Sequence, residues 1–302
     1  MGYTFAELKL VVRHAAAGTE SANFDEARII NTALRHVVDS HAWTWLSKRA
    51  LLSIEAVAIT TLERNTDVVT LTSTDHGLSV GDSIRVVGAV PDGFNGCFDI
   101  ATVPTADTAT YAQDGDDESA TTEGSFITGH ISLPSDFDGI ESLQPRIGWY
   151  QTELVTLDQV QRDRQVQLGV IGPSYHAALG YATQASATAY PTVRLELWPT
   201  PAVASASCFS LYYRRRVEPL SVSTAVADIP YPCQALFQQA CRAHAHMMVS
   251  PSSAETQPEW ALYTSMLESY KAKDGLAQPT SGRLRSQLRY EPRTEFSINA
   301  PT

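Results

Sequence analysis

No stretch of this 302-residue chain reaches the roughly 18 consecutive apolar residues of a membrane span. The start, MGYTFAELK, has neither the basic n-region nor the apolar h-region of a secretory leader, and Ala6 stands where a myristoylated Gly2 requires Ser or Thr. Cysteine is scarce. The four residues, Cys97, Cys208, Cys233 and Cys241, show no CxxC spacing and read as buried thiols made in a reducing compartment. GxSxG, Walker A and HExxH patterns are absent, and with them the marks of a serine hydrolase elbow, a P-loop and a zinc protease helix. Basic residues number 22 against 33 acidic ones, for a net charge of −11, which argues against tight nucleic-acid binding.

The negative charge is concentrated. Residues 66–126 hold nine Asp, two Glu and a single Arg, a net charge of −10 that leaves −1 for the rest of the chain. A step of this size marks an independent module. Within it, short β-branched runs alternate with HG, VGD, PDG and NG turns, which predicts strands at 68–72, 83–87, 97–103, 108–112 and 125–128. About sixty residues of this kind make a small barrel or sandwich.

Around the module the apolar pattern turns helical. Residues 4–17 carry Phe5, Leu8, Val11 and Val12 on one face, with Gly18 as a stop. A polar turn over 19–22 leads into residues 24–52. There Ile29, Ile30, Ala33, Leu34, Val37 and Val38 paint a broad face, and Asn23 with Glu26 resembles a capping box. The absence of Pro and Gly predicts one helix about 40 Å long, paired with the first as an αα-hairpin. Further on, 131–144 reads as strand, turn and strand, and 155–168 as a polar helix. TVRLELWP and CFSLYYRRR read as a hairpin, and 232–249 and 258–273 as two helices with Gly275 as a C-terminal stop. The expected class is α+β: an antiparallel helical bundle packed with a small antiparallel β-sheet, plus an inserted small all-β domain. The domains follow as a discontinuous core of 1–62 and 129–277, an acidic β insert at 63–128, and an extended tail at 278–302.

Two sets of residues carry a resemblance. His76, Gly77, Leu78, Val80, Gly81, Asp82, Val86, Gly88, Phe94, Asn95, Gly96 and Phe98 resemble the HGL-VGD…FNG pattern of a small β domain common in phage tail and adaptor proteins. His-Ala-Trp-Thr-Trp-Leu at 41–46, Leu-Pro-Ser-Asp-Phe at 133–137, Tyr-Tyr-Arg-Arg at 212–215 and the D-I-P-Y-P entry at 228–232 follow in an order that resembles head-to-tail adaptors of short-tailed bacteriophages, of the tail-tubular-protein-A-like kind. The resemblance implies a structural virion protein, not an enzyme, made in the host cytoplasm and placed at the head–tail junction. It implies a ring of about twelve copies between the portal protein and a tail nozzle or tail tube protein. Double-stranded DNA would pass through the ring without specific binding, and neither a membrane nor a cofactor takes part. The alternative is a carbohydrate-binding or enzymatic tail accessory that uses the β insert as its ligand-binding head.

The chemical candidates are few. Cys241 and His244 share a helix face, but His246 points elsewhere and no second cluster completes a metal's four ligands. Asp114-Gly-Asp-Asp-Glu-Ser resembles a calcium loop, yet Ser119 stands where the sixth-position Gly belongs. Asp136 and Asp138 lie two apart near His130, a spacing open to acid–base work and equally to a turn cap by Asp136. Arg214, Arg215 and Arg216 form the only basic triplet, able to touch DNA phosphates or to pair with acidic neighbours. In the mildly basic tail, Arg283, Leu284, Arg285, Leu288, Arg289, Tyr290, Arg293 and Phe296 are spaced as anchors for docking onto the portal.

Overall fold

Thr4 and Glu7 open the first helix by satisfying each other's backbone. The Thr4 hydroxyl accepts from the Glu7 N–H at 3.3 Å, and the Glu7 carboxylate accepts from the Thr4 N–H at 2.7 Å. The computed structural model describes residues 2–16, 25–146, 152–166, 170–181, 192–249 and 255–277. Among these are five helices, α1 (Phe5–Ala15), α2 (Glu26–Asp39), α3 (Leu157–Val166), α4 (Gln234–Val249) and α5 (Thr256–Ala277). The predicted 19–22 turn and the 278–302 tail lie outside the described residues, while Gly275 falls inside α5 and does not stop it.

The chain divides into two compact units, Met1–Leu46 with Val217–Thr302, and Ser47–Arg216. In the first, α1, α2, α4 and α5 surround a core that includes Phe5, Leu8, Ile30, Leu34, Val37, Trp43, Leu236, Phe237 and Tyr263. The predicted apolar face of α2 is buried at all six positions, with Asp25 as its N-cap.

The expected 40 Å helix does not form. The Ser40 hydroxyl and the Trp43 indole N–H both donate to the Val37 carbonyl at 2.8 Å, satisfying a last-turn acceptor, and α2 ends at Asp39. After a single 3-10 turn, Thr44–Leu46, the chain becomes the strand Ser47–Ile54. Its antiparallel partner, Ser205–Arg215, lies far away in sequence, so local apolar spacing carries no trace of the pairing.

The fold class is corrected with it. The described chain is mostly β, with eighteen strands in five sheets beside the five helices, and not a helical bundle with one small sheet. The stretches read as a minor sheet build three. Phe137–Pro145 and Ser47–Ile54 flank Ser205–Arg215 in the first. Val193–Trp198 sits between His130–Ser132 and His176–Tyr181 in the second, whose far edge is Glu153–Leu154. Ile171–Gly172 and Thr200–Pro201 form a two-stranded third. The expected hairpin of TVRLELWP with CFSLYYRRR fails for the same reason: its two strands enter different sheets. Leu52, Leu133, Leu195, Phe209 and Leu211 fill the core of this part, and α3 packs Val160 against Ala178 and Trp198.

The acidic stretch forms two sheets, of four and five strands, around Leu62, Leu71, Ile84, Phe94, Tyr111 and Phe126. Strands occur at Val68–Thr72, Ser83–Val87, Thr108–Ala112 and Ser125–Thr128, where the β-branched runs place them. The expected 97–103 strand is broken into Gly96–Asp99 and Thr102–Thr105. The turn residues of the HGL-VGD pattern hold backbone. Asp82 accepts from the Ser79 N–H at 2.7 Å, and Gly77 and Gly81 take φ of 65° and 86°. Asn95 bonds both the N–H and the carbonyl of Ala89 at 2.9 Å.

Candidate functional site

The basic triplet and the paired aspartates, separate candidates in the sequence, meet at one sheet end. Ser47 pairs with Arg214 and Phe137 with Arg215, so the strands bring Lys48, Asp136 and Asp138 to the triplet. Arg214 reaches Asp138 at 3.4 Å, and Arg216 donates its backbone N–H to the Asp136 carbonyl at 2.6 Å and a guanidinium N–H to the Ser135 carbonyl at 3.3 Å. Strand alternation sends Arg214 and Arg215 to opposite faces. Lys48 Nζ and the Tyr213 hydroxyl both bind the Asp136 carboxylate, at 2.7 and 2.8 Å. Burial alone would raise the Asp136 pKa, but these two bonds, with the charge of Lys48 and a backbone hydrogen bond, outweigh it and hold the carboxyl below its usual value. Tyr213 is pushed up to about 12 by burial and by that carboxylate. Asp136 thus holds its own sheet end together, and His130 lies elsewhere in the same unit, against Asp82.

A second cluster joins the acidic module to the rest of its unit. Arg194 Nη1 donates to both oxygens of Asp82 at 2.9 and 3.0 Å, and Nη2 donates to the Gly77 carbonyl at 2.7 Å. Arg164 donates to Glu196 at 2.8 Å and to the carbonyls of Gly129 and Leu197, each at 3.2 Å. Asp82, His130 and Glu196 bring ligand atoms within 4.8 Å of one another, a spacing open to a metal ion. Two guanidiniums already neutralise the two carboxylates there, and a dication would leave the buried group strongly positive. The donor set fits an ion-pair lock and does not fit a metal. Its sequence signal is the alternation Val-Arg-Leu-Glu-Leu-Trp at 193–198, which puts Arg194 and Glu196 on one strand face.

The calcium-like loop is organised by a protein cation. Arg64, only 5% exposed, follows Leu62 on the inward phase of its strand. Its guanidinium donates to the Asp116 carbonyl at 2.7 Å, pairs with Glu118 and lies 5.1 Å from the Phe94 ring centroid. Gly115, with φ of 152°, has no room for a side chain, since a Cβ would lie 2.5 Å from the Arg64 guanidinium carbon. The module's aromatic residues are spent internally: Phe94, Tyr111 and Phe126 are fully buried, and Phe98 stacks on Tyr111. They leave no aromatic platform for a sugar.

In the helical unit, Cys241, His244 and His246 do not converge. Cys241 is buried in the core, with its thiol pKa raised by burial. His246 lines a groove of about 680 Å³ with Leu10, His14 and Arg242. His244 Nε2 instead lies 3.2 Å from His36 Nδ1, which is also 3.2 Å from the Tyr263 hydroxyl, and Trp260 stacks on His36. Two facing ring nitrogens share one proton, and a second proton leaves two donors opposed. Burial, then the neighbouring His36, lowers His244 to about 4, and burial with Lys271 lowers His36 while Asp39 opposes it. A histidine whose folded value lies below its ordinary 6.5 contributes stability above that value and loses it as pH falls towards 4. We expect the urea midpoint to fall between pH 7 and pH 5, and His244→Leu to shrink that fall. An equal fall in the variant would reject the pair as its source.

With this geometry in view, the comparisons define the class. The sequence model of the SU10 adaptor protein family matches residues 106–287, more than half of the chain. The chain belongs to the SU10 adaptor protein family and is a phage adaptor-type protein, a structural component of the virion. No curated protein matches it. Among the described residues no helix is long and apolar enough to cross a membrane.

Proposed function

We propose that the chain is the head-to-tail adaptor of a short-tailed phage, forming a ring of about twelve copies between the portal and the tail nozzle or tube and surrounding the path of the DNA. The observation that carries this reading is membership of the adaptor family over residues 106–287. The pairing of the basic triplet supports a DNA path that does not grip. With Arg214 held by Asp138, contact with passing phosphates through Arg214, Arg215 and Arg216 is weak and non-specific. The acidic insert, 63–128, belongs at large radius, where copies carrying ten net negative charges over 66–126 repel least. The tail, through Arg283, Leu284, Arg285, Leu288, Arg289, Tyr290, Arg293 and Phe296, docks onto the portal. Its guanidiniums suit carboxylates on a partner.

Native mass measurement of the chain mixed with its portal tests the ring. A ring-on-ring species is expected, and a monomer or dimer indifferent to the portal would sink the reading. Truncation after Ala277 is expected to keep the helical content and abolish portal capture. Undiminished capture would remove the tail from the interface.

A further inference from the structure

The groove of about 680 Å³ in the helical unit is a trough between two helices. Gln238, Arg242 and His246 stand four apart on α4, as Leu10 and His14 do on α1, so each helix offers one face along the trough. From Gln238 to His246 it runs about 12 Å. Leu10 is 62% exposed on its wall, and Pro258 adds apolar surface from the start of α5. Glu255 and Glu259 bring carboxylates to the same place. Arg242 lies 3.9 Å from Glu259, whereas Glu255 is exposed and meets no cation within ion-pair distance among the described residues. An apolar trough with a carboxylate to spare matches a segment that carries apolar and cationic side chains together.

The chain holds such a segment within reach. It continues for 25 residues past Ala277, with four Arg against two Glu, a net charge of +2. The rest of the unit, residues 1–46 and 217–277, holds seven basic and eleven acidic residues, a net charge of −4. Ala277 ends α5, and Glu259 lies eighteen residues back on the same helix, about 27 Å away. Leu284 is seven residues past Ala277, about 23 Å of extended chain at most, and falls short. Leu288 is eleven residues past it, about 36 Å, and can turn back along α5 to the trough. In an extended run Leu288 and Tyr290 fall on one side, and Arg289 and Arg293 stand beside them. A tether of this length holds its segment at roughly millimolar effective concentration, which favours the chain's own tail over a free partner of the same chemistry.

We propose that in the free subunit the trough between α1 and α4 holds residues 288–293 of the same chain, with Leu288 and Tyr290 against Leu10 and Pro258 and a tail arginine on Glu255. The trough thereby covers part of the tail until another partner takes it. That this partner is the portal rests on the adaptor reading.

Benzoylphenylalanine in place of Leu288 in the full chain, irradiated in dilute solution, tests the proposal. Cross-links located by mass spectrometry are expected on 10–15 or 255–259 of the same molecule. Leu10→Arg and Glu255→Arg, both at exposed positions, are each expected to lower the yield of these links about tenfold. Links that fall elsewhere or join two molecules overturn the proposal, as do links that neither substitution weakens. Portal capture separates this from the adaptor reading. Faster capture of the Leu10→Arg chain supports release from the trough. A chain that links in the trough and never binds portal removes the tail's portal role and leaves the trough contact standing.

Discussion

Replacing Arg194 with leucine is expected to cost the chain about 3–5 kcal/mol, the usual penalty for leaving one partner of a buried ion pair uncompensated. Arg194 and Asp82 are buried, and the guanidinium holds both Asp82 oxygens and the Gly77 carbonyl. With the guanidinium gone, Asp82 keeps only the Ser79 N–H and faces neutral His130, which offers no charge in return. Arg194→Leu with Asp82→Leu removes both charges and should recover much of the loss, because the paired removal leaves no uncompensated charge and only the Ser79 N–H and the Gly77 carbonyl lose their side-chain partners. Urea unfolding of wild type, single and double variants reads the difference. A single variant within about 0.5 kcal/mol of wild type would mean that solvent already reaches the pair.

That lock also shows what the sequence made legible. The module's strands followed from β-branched runs bounded by turn residues, a signal local to each strand even where its partner is distant, as Ser83–Val87 is from Ser125–Thr128. Ser47–Ile54 has no turn residue to mark its start. Its partner begins at Ser205, and the run Lys-Arg-Ala-Leu-Leu is as compatible with a helix until that partner is known. The apolar stripe of α2 was readable, while its end was set by the Trp43 indole turning back onto Val37, a tertiary act of one side chain.

The candidate site was legible in part. The Arg214–Arg216 triplet and Asp136 with Asp138 were visible as residues, but strand register alone brought them together. Arg64 and Arg194 left only a faint mark, a charge on the buried phase of an alternating strand, and such a charge has meaning only once its carboxylate is found. His76 belongs to the turn motif, and its Nδ1 holds that turn by accepting the Leu78 N–H.

The second large effect falls in the helical unit. Trp43→Ala is expected to destabilise it by about 3–5 kcal/mol, the range for deleting a buried aromatic side chain. The indole is 2% exposed in the core with Ile30, Leu34 and Val37. Beyond its volume, it ends α2 by donating to the Val37 carbonyl, and it packs edge-on against His41 at 4.9 Å between ring centroids. The next residue, Thr44, is held by the Asp274 carboxylate of α5, which accepts its N–H at 3.0 Å and its hydroxyl at 2.5 Å. His41 lies 3.2 Å from the same carboxylate. Losing the indole therefore loosens the turn that joins the end of α2 to α5 as well as the core beneath it. Trp43→Phe separates the two contributions, because it restores most of the volume without the N–H. It should cost about 1–2 kcal/mol, comprising the lost hydrogen bond and a small void. Denaturant unfolding followed by far-ultraviolet circular dichroism measures both variants. An alanine variant as stable as the phenylalanine one would show that Trp43 matters as a helix stop and not as core.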